Sequence, residues 1–185
     1  MGGGSSVAYQ RAELRFAALA LAALVSACAT APNLKPATIP QQSARAERPH
    51  IVAPPKPLQC VPYARSASGI EIYGNANEWW RKAAGKYRRD HAPAPGTVMV
   101  FKGSAQDPRG HVAVVRTIKS SRLLIVDHAN WFGHGEITVA TPVLDVSPNN
   151  DWSQVRVWWL PGDQWGARTF SIAGFIYPER EFASR

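Results

Sequence analysis

Cysteine is scarce in this chain: two residues in 185, too few for a disulfide scaffold, and only Cys60 falls in a stretch able to fold. The five histidines lack metalloprotease spacing, and no cluster of carboxylates has the pattern of a calcium loop. No metal or cofactor is therefore expected. Acidic residues are also few, 13 against 21 lysines and arginines, and the net charge of +8 suits an anionic partner. Internal repeats are missing. So is any apolar run of about 20 residues, the length a membrane-spanning helix needs.

The apolar run that does exist, 16–27, follows Arg11 and Arg15 and has the length and charged flank of a secretory signal. It ends in Val25-Ser26-Ala27-Cys28, small residues before a cysteine that resemble the lipobox of bacterial lipoproteins. The resemblance implies a signal peptide over residues 1–27 and lipid on Cys28. Ala27-Cys28-Ala29 also allows a simple cleaved signal. The opening Met1-Gly2-Gly3-Gly4-Ser5-Ser6 fits an N-myristoylation pattern, which the export signal behind it outweighs. Export argues against nucleic acid as the anionic partner and for an envelope polymer or phospholipid head groups. Ala29 after Cys28 resembles lipoproteins sorted to the outer membrane, so the expected location is periplasmic, anchored there through Cys28. A lipidated Cys28 leaves Cys60 a free thiol. The alternative is a Cys28–Cys60 disulfide.

From 28 to 57 prolines interrupt small and polar residues without apolar period, and a disordered tether is expected. A folded domain should occupy 58–178, with 179–185 a C-terminal tail. Helical pattern covers 60–68, stopped by Gly69, and 77–84, stopped by Gly85. Pro62 is tolerable in the first turn of its helix. Strand pattern follows at 96–101, 111–117, 123–126, 155–159 and 174–177, separated by turn signals. Helices first and strands afterwards predict an α+β fold, N-terminal helices packed on an antiparallel sheet.

Cys60 stands where the proline-rich run meets the first helix, in Leu58-Gln59-Cys60-Val61-Pro62-Tyr63-Ala64. The positive end of a helix dipole and its free N–H groups favour thiolate. Gly110-His111-Val112-Ala113-Val114-Val115 puts a histidine at the start of a strand, where an imidazole can take the thiol proton. Each has a bland reading, an inert buried thiol and a core histidine. The basic cluster Arg81, Lys82, Lys86, Arg88 and Arg89 reads as a solvated face open to an anionic polymer. The seven tryptophans read as core or as a glycan platform.

Gln59-Cys60-Val61-x-Tyr63-Ala64, Trp79-Trp80, Pro95-Gly96-Thr97-Val98-x-Val100-Phe101, the Gly110-His111 strand and His128-x-Asn130-Trp131 occur in order. Together they resemble the CHAP domain family of cysteine- and histidine-dependent amidohydrolases and peptidases, over 58–177. The resemblance implies a papain-like fold and cleavage of an amide bond in peptidoglycan through a thioester acyl-enzyme. Cys60 would be the nucleophile and His111 the base. The family's third residue is usually a glutamate two positions before an asparagine; here Asp127-His128-Ala129-Asn130 puts His128 in that place and Asn130 in the asparagine's. Strand alternation sets His128 and Asn130 on one face and Asp127 on the other, so His128 or Asn130 is favoured, and Asp127 needs a bulge. The Cys60 N–H and the Gln59 side chain are candidate oxyanion donors. The expected function is a monomeric, exported peptidoglycan amidase or endopeptidase. A non-catalytic peptidoglycan-binding module and acyl transfer on the same apparatus stay open.

Overall fold

A computed structural model describes residues 48–180. The signal peptide, Cys28, the tether up to residue 47 and the last five residues of the tail lie outside the described residues.

Apolar residues recur at every second position through much of the described chain, and they pair as strands. The strands are β1 (His50–Val52), β2 (Tyr87–Asp90), β3 (Val98–Phe101), β4 (His111–Ser120), β5 (Leu123–Ala129), β6 (Ile137–Asp145), β7 (Gln154–Trp159), β8 (Gln164–Trp165) and β9 (Phe170–Arg180). The helices are α1 (Cys60–Ser68) and α2 (Trp79–Lys82), the second entered through a 3-10 turn at Ala76–Glu78. All strand pairs are antiparallel, in the order β6-β5-β4-β3-β9-β7. β7 then returns to β6 through Val143↔Val157 and its two neighbours, which closes a six-stranded barrel.

This architecture overturns the expected α+β, papain-like arrangement of N-terminal helices on an open sheet. Strand makes up 42% of the described residues and helix 14%, so the helices are accessories to a β-barrel. The misreading has a local cause. β6 joins β5 to β7, yet Pro142 interrupts it and Ala140 is left-handed at φ 57°. Neither belongs to a regular strand. The Ala140 N–H donates to Asp127 Oδ1 at 2.8 Å, fixing an irregularity where the β5–β6 register shifts between Val126 and His128. The expected helix at 77–84 shrinks to one α-turn because the chain re-enters extended structure at Tyr87.

Alternation gives β3 and β4 two buried faces. Met99, Phe101, Ala113 and Val115 point into the barrel, toward Leu124 and Phe175. Val98, Val100, Val112 and Val114 point outward and are covered by Ala64 of α1 and by Trp79. Trp79 is fully buried, and its removal would cost about 3–5 kcal/mol.

β1 lies within the stretch expected to be a tether, and its pairing has a simple origin. β7 pairs with β6 only at Val143–Asp145, leaving the edge of Ile137–Val139 open, and His50–Val52 satisfies it. Where β6 parts from β7 the barrel opens into a mouth, and His111 begins its strand there.

Candidate active site

Gln59 is extended (φ −85°, ψ 157°), and the first helical hydrogen bond runs from the Tyr63 N–H to its carbonyl at 3.1 Å. Cys60 is thus the first residue of α1, as the helix pattern requires. Burial pushes its thiol up from 9.0, while the N–H groups of Val112 and Val61 draw it back down. The charge of Asp107 adds to the rise.

Gly110 delivers His111. Its backbone is left-handed at φ 68°, and a Cβ there would stand 2.6 Å from the Phe101 carbonyl oxygen, so only glycine lets the chain turn into β4. The His111 ring takes the barrel side of its strand, edge-on to Phe101, Trp131 and His128, with centroids at 5.5, 4.9 and 5.0 Å. Its Nε2 is hydrogen-bonded to His128 Nδ1 at 2.9 Å. Burial pushes the His111 imidazole down to about 3. His128 is depressed as well, by burial first and then by the charge of His111. Its Nε2 is buried without a partner. Both rings are therefore neutral, and one proton occupies the bond between them.

Cys60 and His111 line one cleft of about 500 Å³, with Gln59, Asn130 and Trp131. No hydrogen bond joins the sulfur to the imidazole in the described structure. A half-buried thiol pushed up, sharing a cleft with an imidazole pushed down, makes a neutral pair and not a preformed thiolate–imidazolium.

The third position is divided among three residues. His128 reaches His111. Asn130 does not: β5 ends at Ala129 and Asn130 turns left-handed at φ 60°, so strand alternation lapses one residue early. Its Nδ2 donates to Gln59 Oε1 at 2.8 Å, and its Oδ1 accepts from the Gly135 N–H at 2.9 Å. Asn130 therefore holds the amide of Gln59 by the oxygen, leaving the Gln59 Nε2 donor without a hydrogen-bond partner among the described residues. Asp127 faces away, bound by Ala140 and by Arg116 Nε at 3.1 Å.

Two features escaped the sequence reading. Glu136 is a buried carboxylate that accepts the Phe132 N–H at 2.7 Å and the His134 N–H at 3.1 Å, pinning the loop that carries Trp131. An acid directly after Gly133-His134-Gly135 was the available signal. The other is a larger cavity of about 750 Å³ at the barrel mouth, which shares His111, Asn130 and Trp131 with the lining of the cleft. Among the described residues, no group of three histidines, cysteines or carboxylates could hold a metal ion.

The family model of the CHAP domain matches residues 53–130. That stretch runs through Cys60, His111 and His128, and it supports placing this part of the chain in the CHAP family. Domains of this family are generally cysteine- and histidine-dependent amidohydrolases or peptidases, so the match suggests peptidoglycan-related hydrolase or amidase activity. β6 to β9 lie beyond the match. No curated protein matches the chain.

Proposed function

We propose that residues 58–178 form a cysteine hydrolase that cuts an amide bond of peptidoglycan, with Cys60 as nucleophile, His111 as base and His128 positioning His111. The observation that carries this reading is the 2.9 Å bond between His111 and His128 at the edge of the cleft that holds Cys60.

The chemistry needs one of the two tautomers that bond can hold. With His111 Nε2–H donating to His128 Nδ1, the lone pair on His111 Nδ1 is free to accept the thiol proton. Sulfur and imidazole have to close on each other when substrate binds, as catalytic hydrogen bonds commonly do. The sulfur then attacks the carbonyl carbon, and negative charge moves to its oxygen. The Gln59 Nε2–H and the Cys60 N–H at the helix start are the donors for that oxyanion. Collapse breaks the C–N bond, and His111 Nδ1–H gives its proton to the departing amine. Water, deprotonated by His111, hydrolyses the thioester, releasing the acid and restoring the thiol.

In this reading the protein is exported, with Cys28 bearing lipid and the tether setting the reach of the domain. Radiolabelled palmitate incorporation, lost in Cys28→Ser, tests that part. The hydrolase is tested by release of soluble fragments from purified sacculi. Wild type should release them with new amino groups and Cys60→Ala should release none; lysis that survives Cys60→Ala refutes the thiol mechanism. One observation favours the alternative of a non-catalytic peptidoglycan-binding module: sulfur and imidazole are not bonded. Wild type that binds sacculi without releasing anything would decide for it.

A further inference from the structure

The barrel-mouth cavity adjoins the cleft but is chemically unlike it. His111 and Trp131 line both, whereas Cys60 lines only the smaller one. In any acyl transfer to Cys60, the group that leaves departs with a proton from His111, so it lies beside His111. A substrate whose carbonyl sits at the sulfur therefore has its departing half directed past His111 toward the larger cavity.

The lining of that cavity is specific. Trp131 and Phe170 form an aromatic wall with ring centroids 5.1 Å apart. Trp159, 42% exposed and edge-on to Phe132 at 5.0 Å, lines the cavity from the β7–β8 hairpin together with Trp165. An exposed tryptophan beside a cavity offers apolar area without conformational freedom to lose. Two cations complete the lining. The Lys102 ammonium has no intramolecular partner among the described residues. The Arg168 guanidinium is held by Ser104 Oγ at 2.6 Å and over the Phe170 ring at 4.8 Å from its centroid, an arrangement that fixes its orientation. Against them stands one carboxylate, Asp107, and His111 is neutral. The far wall, from Val157 to Phe170, lies beyond the residues the family model matches.

We propose that this cavity is the leaving-group subsite and that it takes an acidic peptide, its carboxylates on Lys102 and Arg168 and its aliphatic side chains on the tryptophan wall. The proposal rests on the hydrolase reading for the direction of the substrate. A neutral saccharide stacked on Trp159 is the rival. It would leave two cations against the single carboxylate of Asp107.

Both cations are exposed and neither is in the catalytic machinery, so Lys102→Gln, Arg168→Gln and the double variant should fold. In sacculus hydrolysis the double variant should raise KM roughly tenfold, the weight of lost charge-assisted contacts in a partly wet site, with kcat within about twofold. Binding is measured separately on Cys60→Ala through the fluorescence of the cavity tryptophans, titrating a tetrapeptide with free carboxylates and, in parallel, an N-acetylated disaccharide. The tetrapeptide should bind, and the two Gln substitutions added to Cys60→Ala should weaken it roughly tenfold at low salt. Equal tetrapeptide affinity with and without those substitutions overturns the proposal. So does a disaccharide that binds more tightly than the tetrapeptide and is lost selectively in Trp159→Ala. A wild type that binds the tetrapeptide as described yet hydrolyses nothing would sink the hydrolase reading and leave the subsite standing.

Discussion

Mild acid should destabilise this domain through His111 and His128 before its carboxylates titrate. In the unfolded chain a histidine takes up a proton as pH falls through its ordinary 6.5, whereas folded His111 resists until about 3. His128 is depressed in the same direction by burial and by His111. The stability these neutral rings allow is complete above 6.5 and is lost as pH falls through the window below it, because the unfolded state then binds more protons. Each histidine costs about 1.4 kcal/mol per pH unit in that window, so about 2 kcal/mol at pH 5 and about 4 kcal/mol for the pair. That is a large part of the 5–15 kcal/mol of a typical domain. Urea unfolding at pH 7.5 and pH 5 measures it, since ordinary carboxylates remain ionised at both. His111→Gln should roughly halve the loss between the two pH values. An equal loss in wild type and His111→Gln, or none in wild type, would refute the claim that these rings are held neutral by burial.

The catalytic proposal makes sharper demands. His128→Ala should lower kcat by about 10- to 100-fold with KM nearly unchanged, while His128→Gln, whose amide oxygen can accept from His111 Nε2–H, should restore part of it. Gln59→Ala should cost about 100-fold in kcat, as loss of an oxyanion donor does, and Asn130→Ala, which frees the Gln59 amide, should cost less. Intact turnover in Gln59→Ala would remove that residue from the mechanism. Because His111 stays neutral down to about 3, the acidic limb of kcat/KM should fall well below 6.5, and a limb at 6.5 would exclude a buried His111 as the base.

The sequence placed Cys60 at a helix start and His111 at a strand start, because each position is carried by a local signal. Cys60 follows a proline-rich run, Gly110 demands a turn, and the apolar strand after His111 is unbroken. It did not show the barrel. Closure depends on the long-range pairing of β3 with β9 and on β6 pairing with both β5 and β7, in a strand disguised by Pro142 and by the left-handed Ala140. The third position was legible only in part. Alternation placed His128 and Asn130 on one face and turned Asp127 away, but it could not foresee that the strand ends at Ala129. Asn130 thereby became the partner of Gln59. Glu136 had a local signal, an acid directly after Gly133-His134-Gly135, whereas the barrel-mouth cavity is assembled from segments far apart in the chain and no local pattern announces it.

Catalysis by this scheme depends on a sulfur that is neutral at rest and becomes nucleophilic by handing its proton to His111. Intact-protein mass spectrometry of acid-quenched reactions with soluble peptidoglycan fragments tests that most directly. An adduct with the mass of the acyl half, mapped to Cys60, absent in Cys60→Ala and strongly reduced in His111→Ala, is the predicted result. Substrate turnover with no adduct in wild type under any quench time, or an adduct of undiminished yield in His111→Ala, would contradict it.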